Sequence, residues 1–406
     1  MKGHVCEQGK GHWYAVIDVR DSATGKRKRK WHSLPNCKNK SEAREKCYEL
    51  IIQIRKGSYI EPSKVTVKAF LERWLEHIKT QVSPKTFERY SGIVRQNIVP
   101  AIGDVVLSKL KPVQISAAYS AALKNGRRDG KSGGLSPRTV GHMHRVLHEA
   151  LGQAVKWEEL VRNPSDAVVP PKVEWKPMQT YDFSQTADLL EQVRGTPIFI
   201  PVLLTVFCGL RRGEICALRW RNIDLTAGQM SVSGSIEQTK GGKKALRFKS
   251  PKSGKGRTVA LSPTVVEELR THRAKRAEEL LRVGVRLSED GFVTAHPDGS
   301  VMVPIYISQR WDRFIKATKL PRIRFHDLRH THATHMLANG VHPKIASERL
   351  GHSKVGITLD LYSHVIPGMQ EDAAAMVDAA LKAAAEKRDQ NGSSAVVSRI
   401  GGTDSE

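Results

Sequence analysis

The sequence predicts a multidomain, mainly α protein with small β-sheets, and three observations on its 406 residues carry that reading. Apolar residues recur at helical spacing over most of the chain, as in Val67, Phe70, Leu71, Trp74, Leu75 and Ile78. Strand-like alternation is confined to two short stretches, one around Trp13–Val19 and one within 230–261. Charged or Pro-rich connectors separate the segments, at Glu61–Lys64 and from Val169 to Pro177. A chain of this length holds two or three domains of roughly 100–200 residues each. The expected parts are a β-sheet-plus-helix module over 1–64, a helical domain over 65–172, an α+β domain over 173–389 and a disordered tail over 390–406.

Composition narrows the partners. Lys and Arg number 66 against 41 Asp and Glu, a formal net charge of +25. That imbalance repels itself unless a polyanion offsets it, so nucleic acid is the expected partner. A hydrophobic content of 39% is enough for packed cores, yet no apolar run approaches the ~20 residues of a spanning helix, and no membrane is expected. The N-terminus MKGHVCEQGKGHWY lacks an apolar signal core, which makes the cytoplasm the expected compartment. The five Cys, at 6, 37, 47, 208 and 216, are odd in number and scattered. They read as small core residues or free thiols, with no C-x-x-C pair for zinc.

In residues 1–64, Trp13, Ala15, Ile17 and Val19 alternate as a strand does, and Asp21–Gly25 reads as a turn. The return strand, Lys26–Leu34, is loaded with positive charge and includes Arg27 and Arg29. Ser41 is the expected cap of a helix with Ala43, Cys47, Leu50, Ile51 and Ile54 on one face and Gly57 as its stop. This segment holds 15 Lys and Arg against 7 Asp and Glu.

From Thr66 the period is helical. Ser83-Pro84 and Ser136-Pro137 are matched starts, each a cap residue followed by Pro at the first helical position. The first leads Phe87, Tyr90, Val94 and Ile98; the second leads Val140, Met143, Leu147, Ala150, Leu151 and Ala154. Asn125–Gly134 between them is a flexible basic loop.

The third domain is expected to open with a helix over Ser184–Val193 capped by Ser184, then a buried apolar run over Pro201–Phe207. Cys208-Gly209-Leu-Arg211-Arg212-Gly-Glu214 sets an Arg in a Gly-bounded turn. Residues 230–261 read as one small sheet, with Met230, Val232 and Ile236 alternating and Thr258–Leu261 returning after a turn at Gly241-Gly242. The most informative stretch is Ile323–Val365, which brings His326, Arg329, His330, His352 and Tyr362 into one run. Asn339-Gly340 ends its first helix, Pro343 opens a second, and Gly351 stops that one. Beyond Tyr362, Met369–Lys387 forms an Ala-rich helix with the narrow stripe Met376, Val377, Ala380 and Leu381. His326-Asp-Leu-Arg-His330 mimics the H-E-x-x-H zinc motif, but Asp327 is one methylene short of Glu and Arg329 would repel a metal.

H-x-L-R-H, then L-G-H, then Tyr followed by Ser-His, resembles the second motif box of the tyrosine recombinases, the phage-integrase family. The run at Gly209–Glu214 matches that family's first box, and the Val99–Gly103 segment is similar to part of its core-binding domain. The resemblance implies a catalytic set of Arg211, Lys252, His326, Arg329, His352 and Tyr362, with Glu214 as the acidic partner of Arg211. Lys252 lies in the hairpin Ser250–Arg257, where Lys249 and Lys255 are the nearby alternatives. Residues 1–64 resemble the family's arm-type DNA-binding domain, with Arg27 and Arg29 on its basic strand. Arg212 and Lys255 are the expected further DNA contacts. The helical domain is expected to form half of a C-shaped clamp opposite the catalytic domain, with the Pro-rich connector as its hinge. A homotetramer on core and arm attachment sites in a bacterial host, near its nucleoid, is implied, with an accessory directionality factor as a further candidate partner.

The chemistry suits these residues. Cutting a phosphodiester with an oxygen nucleophile requires stabilising a doubly negative phosphorane, and two guanidiniums present forked donors that never deprotonate. Arg211 and Arg329 form that pair and His352 adds a donor. The leaving deoxyribose oxygen needs a proton, and the Lys252 ammonium is the candidate donor. The Tyr362 phenol, with an unperturbed pKa of ~10, loses its proton as it attacks, and His326 is the expected acceptor. A phosphotyrosine keeps the ester energy, so neither a nucleotide cofactor nor a metal is called for. The expected function is integration and excision of a mobile element through a 3′-phosphotyrosine and a Holliday junction. A chromosome-dimer or transposon resolvase of the same family, and a DNA-binding regulator without catalysis, are the alternatives; six filled catalytic positions weigh against the regulator.

Overall fold

The computed structural model describes residues 3–9, 11–20, 27–55, 63–127, 130, 132–174, 178–239, 246–249, 256–362 and 374–386. The chain divides into two units, Met1–Trp175 and Lys176–Glu406. The division falls inside the Pro-rich connector read from the sequence.

The N-terminal unit begins with an antiparallel sheet of β1 (Gly3–Glu7), β2 (Trp13–Arg20) and β3 (Arg27–Leu34), in that spatial order. Val16 stands opposite Trp31 and Ala15 opposite His32. α1 (Lys40–Arg55) covers one face, and Ala15, Ile17 and Leu34 pack with Ala43, Cys47, Leu50 and Ile51 of the helix. The expected Ser41 cap is corrected: Asn39 Oδ1 accepts the Glu42 N–H at 2.9 Å, so the helix starts two residues earlier. β1 has no clear alternation to announce it and exists because β2 offers it an edge.

The rest of this unit is helical: α2 (Val67–Ile78), α3 (Pro84–Ile93), a π-helical turn at Val94–Ile98, α4 (Val99–Ile102), α5 (Pro112–Asn125) and α6 (Pro137–Lys156). Thr66, Ser83 and Ser136 each accept a backbone N–H three residues on, which is worth about 1 kcal/mol per cap. The six apolar residues of α2 read from the sequence are all buried, and Trp74 stacks on Tyr90 with centroids 5.9 Å apart. Pro100 explains the π turn, because its ring collides with the carbonyl four residues back in a regular helix.

The C-terminal unit runs α7 (Phe183–Val193), α8 (Phe199–Cys208), α9 (Arg212–Ala217), β4 (Ile223–Asp224), β5 (Gln229–Val232), β6 (Ser235–Gln238), β7 (Leu246–Lys249) and β8 (Arg257–Ala260). α10 (Pro263–Leu281), α11 (Pro304–Lys316), α12 (Asp327–Ala338), α13 (Pro343–Leu350) and α14 (Val355–Tyr362) follow, and a last helix spans 374–386. α8 is apolar on all sides and central, packed by α7, α10 and α12. Two expectations are corrected. Asp182, not Ser184, caps α7, accepting the Gln185 N–H at 2.8 Å. The expected single sheet is two: β4-β5-β8, and a separate ribbon in which Ile236 of β6 faces Phe248 of β7. Ser233-Gly234 breaks the strand between them, and alternation alone does not say which strands pair. The turn at Gly241-Gly242 and the tail 390–406 lie outside the described residues.

Candidate active site

Two glycines fix the turn that carries Arg211. Gly209 ends α8 at φ +64°, and a Cβ there would lie 2.6 Å from His332 Cδ2 and 2.8 Å from Leu350 Cδ2. Gly213 lies against β6, where a Cβ would meet the Ile236 carbonyl oxygen at 2.7 Å. Arg211 therefore caps α9 in a crowded corner, between two positions where a Cβ would collide with its neighbours. Glu214, in the first turn of α9, accepts the Arg211 backbone N–H at 2.9 Å and its Nη1 at 2.8 Å.

The second half of the corner is the C-terminal end of α13, which Gly351 stops at φ +66°. The last carbonyls of a helix have no partners in the helix, and they carry its negative dipole end. Three consecutive ones here each meet a guanidinium. Arg349 O accepts Arg257 Nε at 2.8 Å, Leu350 O accepts Arg329 Nη2 at 2.5 Å, and Gly351 O accepts Arg211 Nη2 at 2.8 Å. Arg329 Nη1 also donates to the Gly209 carbonyl, so this one side chain, 2% exposed, ties the two halves together. Arg211 is the accessible member, with 40% of its side chain exposed. Burial pushes the Glu214 carboxyl up, but Arg257 and then Arg211 outweigh it and hold it at about 2.

Two sequence-predicted imidazoles join these groups. His326, at the start of α12, lies edge-on to His330 with centroids 5.2 Å apart. Burial, His330, Arg329 and Arg211 lower its pKa to about 4. His352 follows Gly351, and burial, Arg329 and Arg211 lower it to about 4 as well. Both rings are neutral near pH 7, each with one N–H donor and one acceptor nitrogen. His352 Nδ1 lies 2.9 Å from the buried Thr358 Oγ1 of α14. Asp327, the acid of the zinc-like motif, is turned to Arg324, whose backbone N–H and guanidinium both donate to it. No group of three His, Cys, Asp or Glu among the described residues is arranged to hold a metal.

The structure thus brings Arg211, Glu214, His326, Arg329 and His352 together. α14 ends on residue 362, but the Tyr362 side chain lies outside the described residues, as do Lys252, Lys255 and the Arg27 side chain. Lys249, the alternative to Lys252, is paired with Glu237 at 2.5 Å. Arg212 donates to Ser308 Oγ, and Arg29 is exposed 3.6 Å from Asp18. Sequence reasoning missed Arg257 and Thr358. For Arg257 the signal was present, an Arg opening the strand after the basic hairpin; a lone Thr carries none.

The Phage integrase family profile matches residues 179–368, and its N-terminal SAM-like domain profile matches 66–122. Together they span more than half of the chain. The chain belongs to the phage integrase family. It is thus a tyrosine recombinase, an enzyme that recombines DNA at specific sites. It is 28% identical to a "Tyrosine recombinase XerC-like" protein of Caldanaerobacter subterraneus over 92% of this chain and 97% of that one. It is also 28% identical to the ICEBs1 integrase of Bacillus subtilis, over 60% of this chain and 66% of that one. The Tn1549 transposon integrase, solved with a circular-intermediate DNA, shares the fold at TM-score 0.64 and 19% identity, covering 77% of this chain and 99% of that one. Among the described residues no helix is long and apolar enough to cross a membrane.

Proposed function

We propose that this recombinase integrates and excises a mobile element, cutting DNA through a 3′-phosphotyrosine on Tyr362. The observation that supports it is the meeting of Arg211 and Arg329 on adjacent carbonyls, Gly351 and Leu350, with His352 next in the chain and residue 362 ending the helix that follows. In this reading Arg211 and Arg329 stabilise the charge that develops on the phosphate. Neutral His352 donates one N–H, and Lys252 protonates the leaving oxygen. Neutral His326 accepts the phenol proton, which a pKa of about 4 makes a transient step. Glu214 orients Arg211.

In the same reading residues 1–64 bind arm sites through the basic strand with Arg27 and Arg29. Residues 65–172 bind the core site, and residues 173–389 cut it, with Arg212 and Lys255 on the DNA backbone. Four copies act on two sites in the host cytoplasm. The mobile-element reading draws on the ICEBs1 relative and on the basic N-terminal sheet.

The test is covalent selection. A pool of nicked duplexes with randomised flanks is incubated with the full chain, and detergent-resistant adducts are recovered and sequenced. Tyr362→Phe is expected to bind the recovered duplex like the wild type and to form no adduct. An adduct that persists in this variant would remove Tyr362 as the nucleophile.

A further inference from the structure

Cleavage as proposed needs Arg211 both fixed and free in charge, and Glu214 alone works against the second need. A buried carboxylate bonded to Arg211 neutralises the guanidinium that a phosphate is meant to meet. The geometry points to Arg257 as a positioning residue that takes up the Glu214 charge and leaves that of Arg211 for the phosphate. This rests on the reading of Arg211 as a phosphate-binding group.

Arg257 opens β8, and its side chain is 13% exposed. Its Nη1 and Nη2 donate to Glu214 Oε1 and Oε2 at 3.1 and 2.8 Å, a two-pronged pair that a guanidinium forms and an ammonium does not. Its Nε holds the Arg349 carbonyl at 2.8 Å. With Arg211 Nη1 on Oε1 and Arg211 N–H on Oε2, each carboxylate oxygen takes two donors. One negative charge therefore faces two guanidiniums in a largely dry corner. The buried one meets it with both prongs, and the exposed one is Arg211. Gly351 fits the same arrangement, since a Cβ there would lie 3.0–3.2 Å from the Arg257 side chain. The left-handed stop of α13 leaves the room in which Arg257 spans Glu214 and the helix end.

Arg257→Met and Arg257→Lys, each in the full chain, are compared with the wild type in single-turnover cleavage of the duplex recovered by covalent selection. Arg257→Met is expected to bind that duplex within about twofold of the wild type and to cleave it about 100-fold more slowly. Its rate is expected to fall further as pH drops, because burial then raises the Glu214 carboxyl without its strongest opposing partner. The wild type, with Glu214 held at about 2, is expected to show no such limb. Arg257→Lys keeps the charge and loses the fork, so it is expected to be about tenfold slower with the wild-type pH profile. A wild-type rate in Arg257→Met, or a loss with no new acid limb, overturns the inference, since a merely structural ion pair moves folding and not the pH profile. Should Arg257→Met fail to fold, Arg257→Lys decides alone, and a wild-type rate there overturns it. Absence of any wild-type adduct would instead overturn the reading of Arg211 itself.

Discussion

Three imidazoles of the C-terminal unit are held neutral by the fold. His326 and His352 lie at about 4, and His332, tucked between Gly209 and Arg349, lies at about 3; burial is the first cause in each. The ordinary value is 6.5, so the unfolded chain takes up these protons before the folded one does. Stability from keeping them neutral is complete above about pH 6.5 and is lost as pH falls through the folded values. Glu214 acts in the same direction in a lower window, between its ordinary 4.5 and about 2. The thermal midpoint of the free protein is therefore expected to be level above about pH 7 and to fall between about pH 6.5 and 5, before most carboxylates titrate. Calorimetry across that interval checks it, and a flat midpoint would mean that these rings are charged when folded. None of this was legible in the sequence. A His in a motif announces chemistry, whereas the depressed pKa of His326 and His352 comes first from burial and then from charges that include Arg329 and Arg211, the latter more than a hundred positions from either ring.

Elements show where sequence reading succeeds and where it stops. α2 and α6 were legible because each buries one stripe and opens on a Ser or Thr cap, so pattern and capping agree. α10 was not, since charges surround its few buried residues and even Arg276 is buried, donating to the His296 carbonyl. The pairing of β5 with β8 rather than β6 was also beyond reach, because register is decided by partners far along the chain. The three-stranded sheet of the N-terminal unit is covered by α1 on one face. Its face away from α1 holds Tyr14 and the exposed Trp31, edge to face at 6.1 Å, beside Arg29. A chain beginning at Ser63 is expected to bind and cleave the core duplex and to lose a separate arm footprint. Each lost phosphate contact should lower the salt slope of binding by about 0.9. Footprinting of both chains on element-end DNA decides it, and an unchanged arm footprint would end the assignment of residues 1–64.

At the scale of the whole molecule, the helix over 374–386 has no partner that stabilises it within one chain among the described contacts. Met376, Val377 and Leu381 are exposed, and the Ala-rich surface between them is too shallow for a core of its own. Ala favours the helix locally, yet a helix of this length is marginal in water without packing. Its stripe directly follows the chain that carries Tyr362, so docking on a neighbouring copy would couple one active site to the next in the proposed tetramer. Ending the chain at Gly368 should therefore leave the monomer's melting temperature within about 2 °C of the full chain, because little apolar area is buried by the helix in cis. The truncated chain should still bind single sites and form the covalent adduct, yet fail to pair two sites or complete recombination. Melting of the free monomer and a gel assay for paired duplexes separate the alternatives. A large fall in monomer stability would show instead that the stripe packs against its own domain.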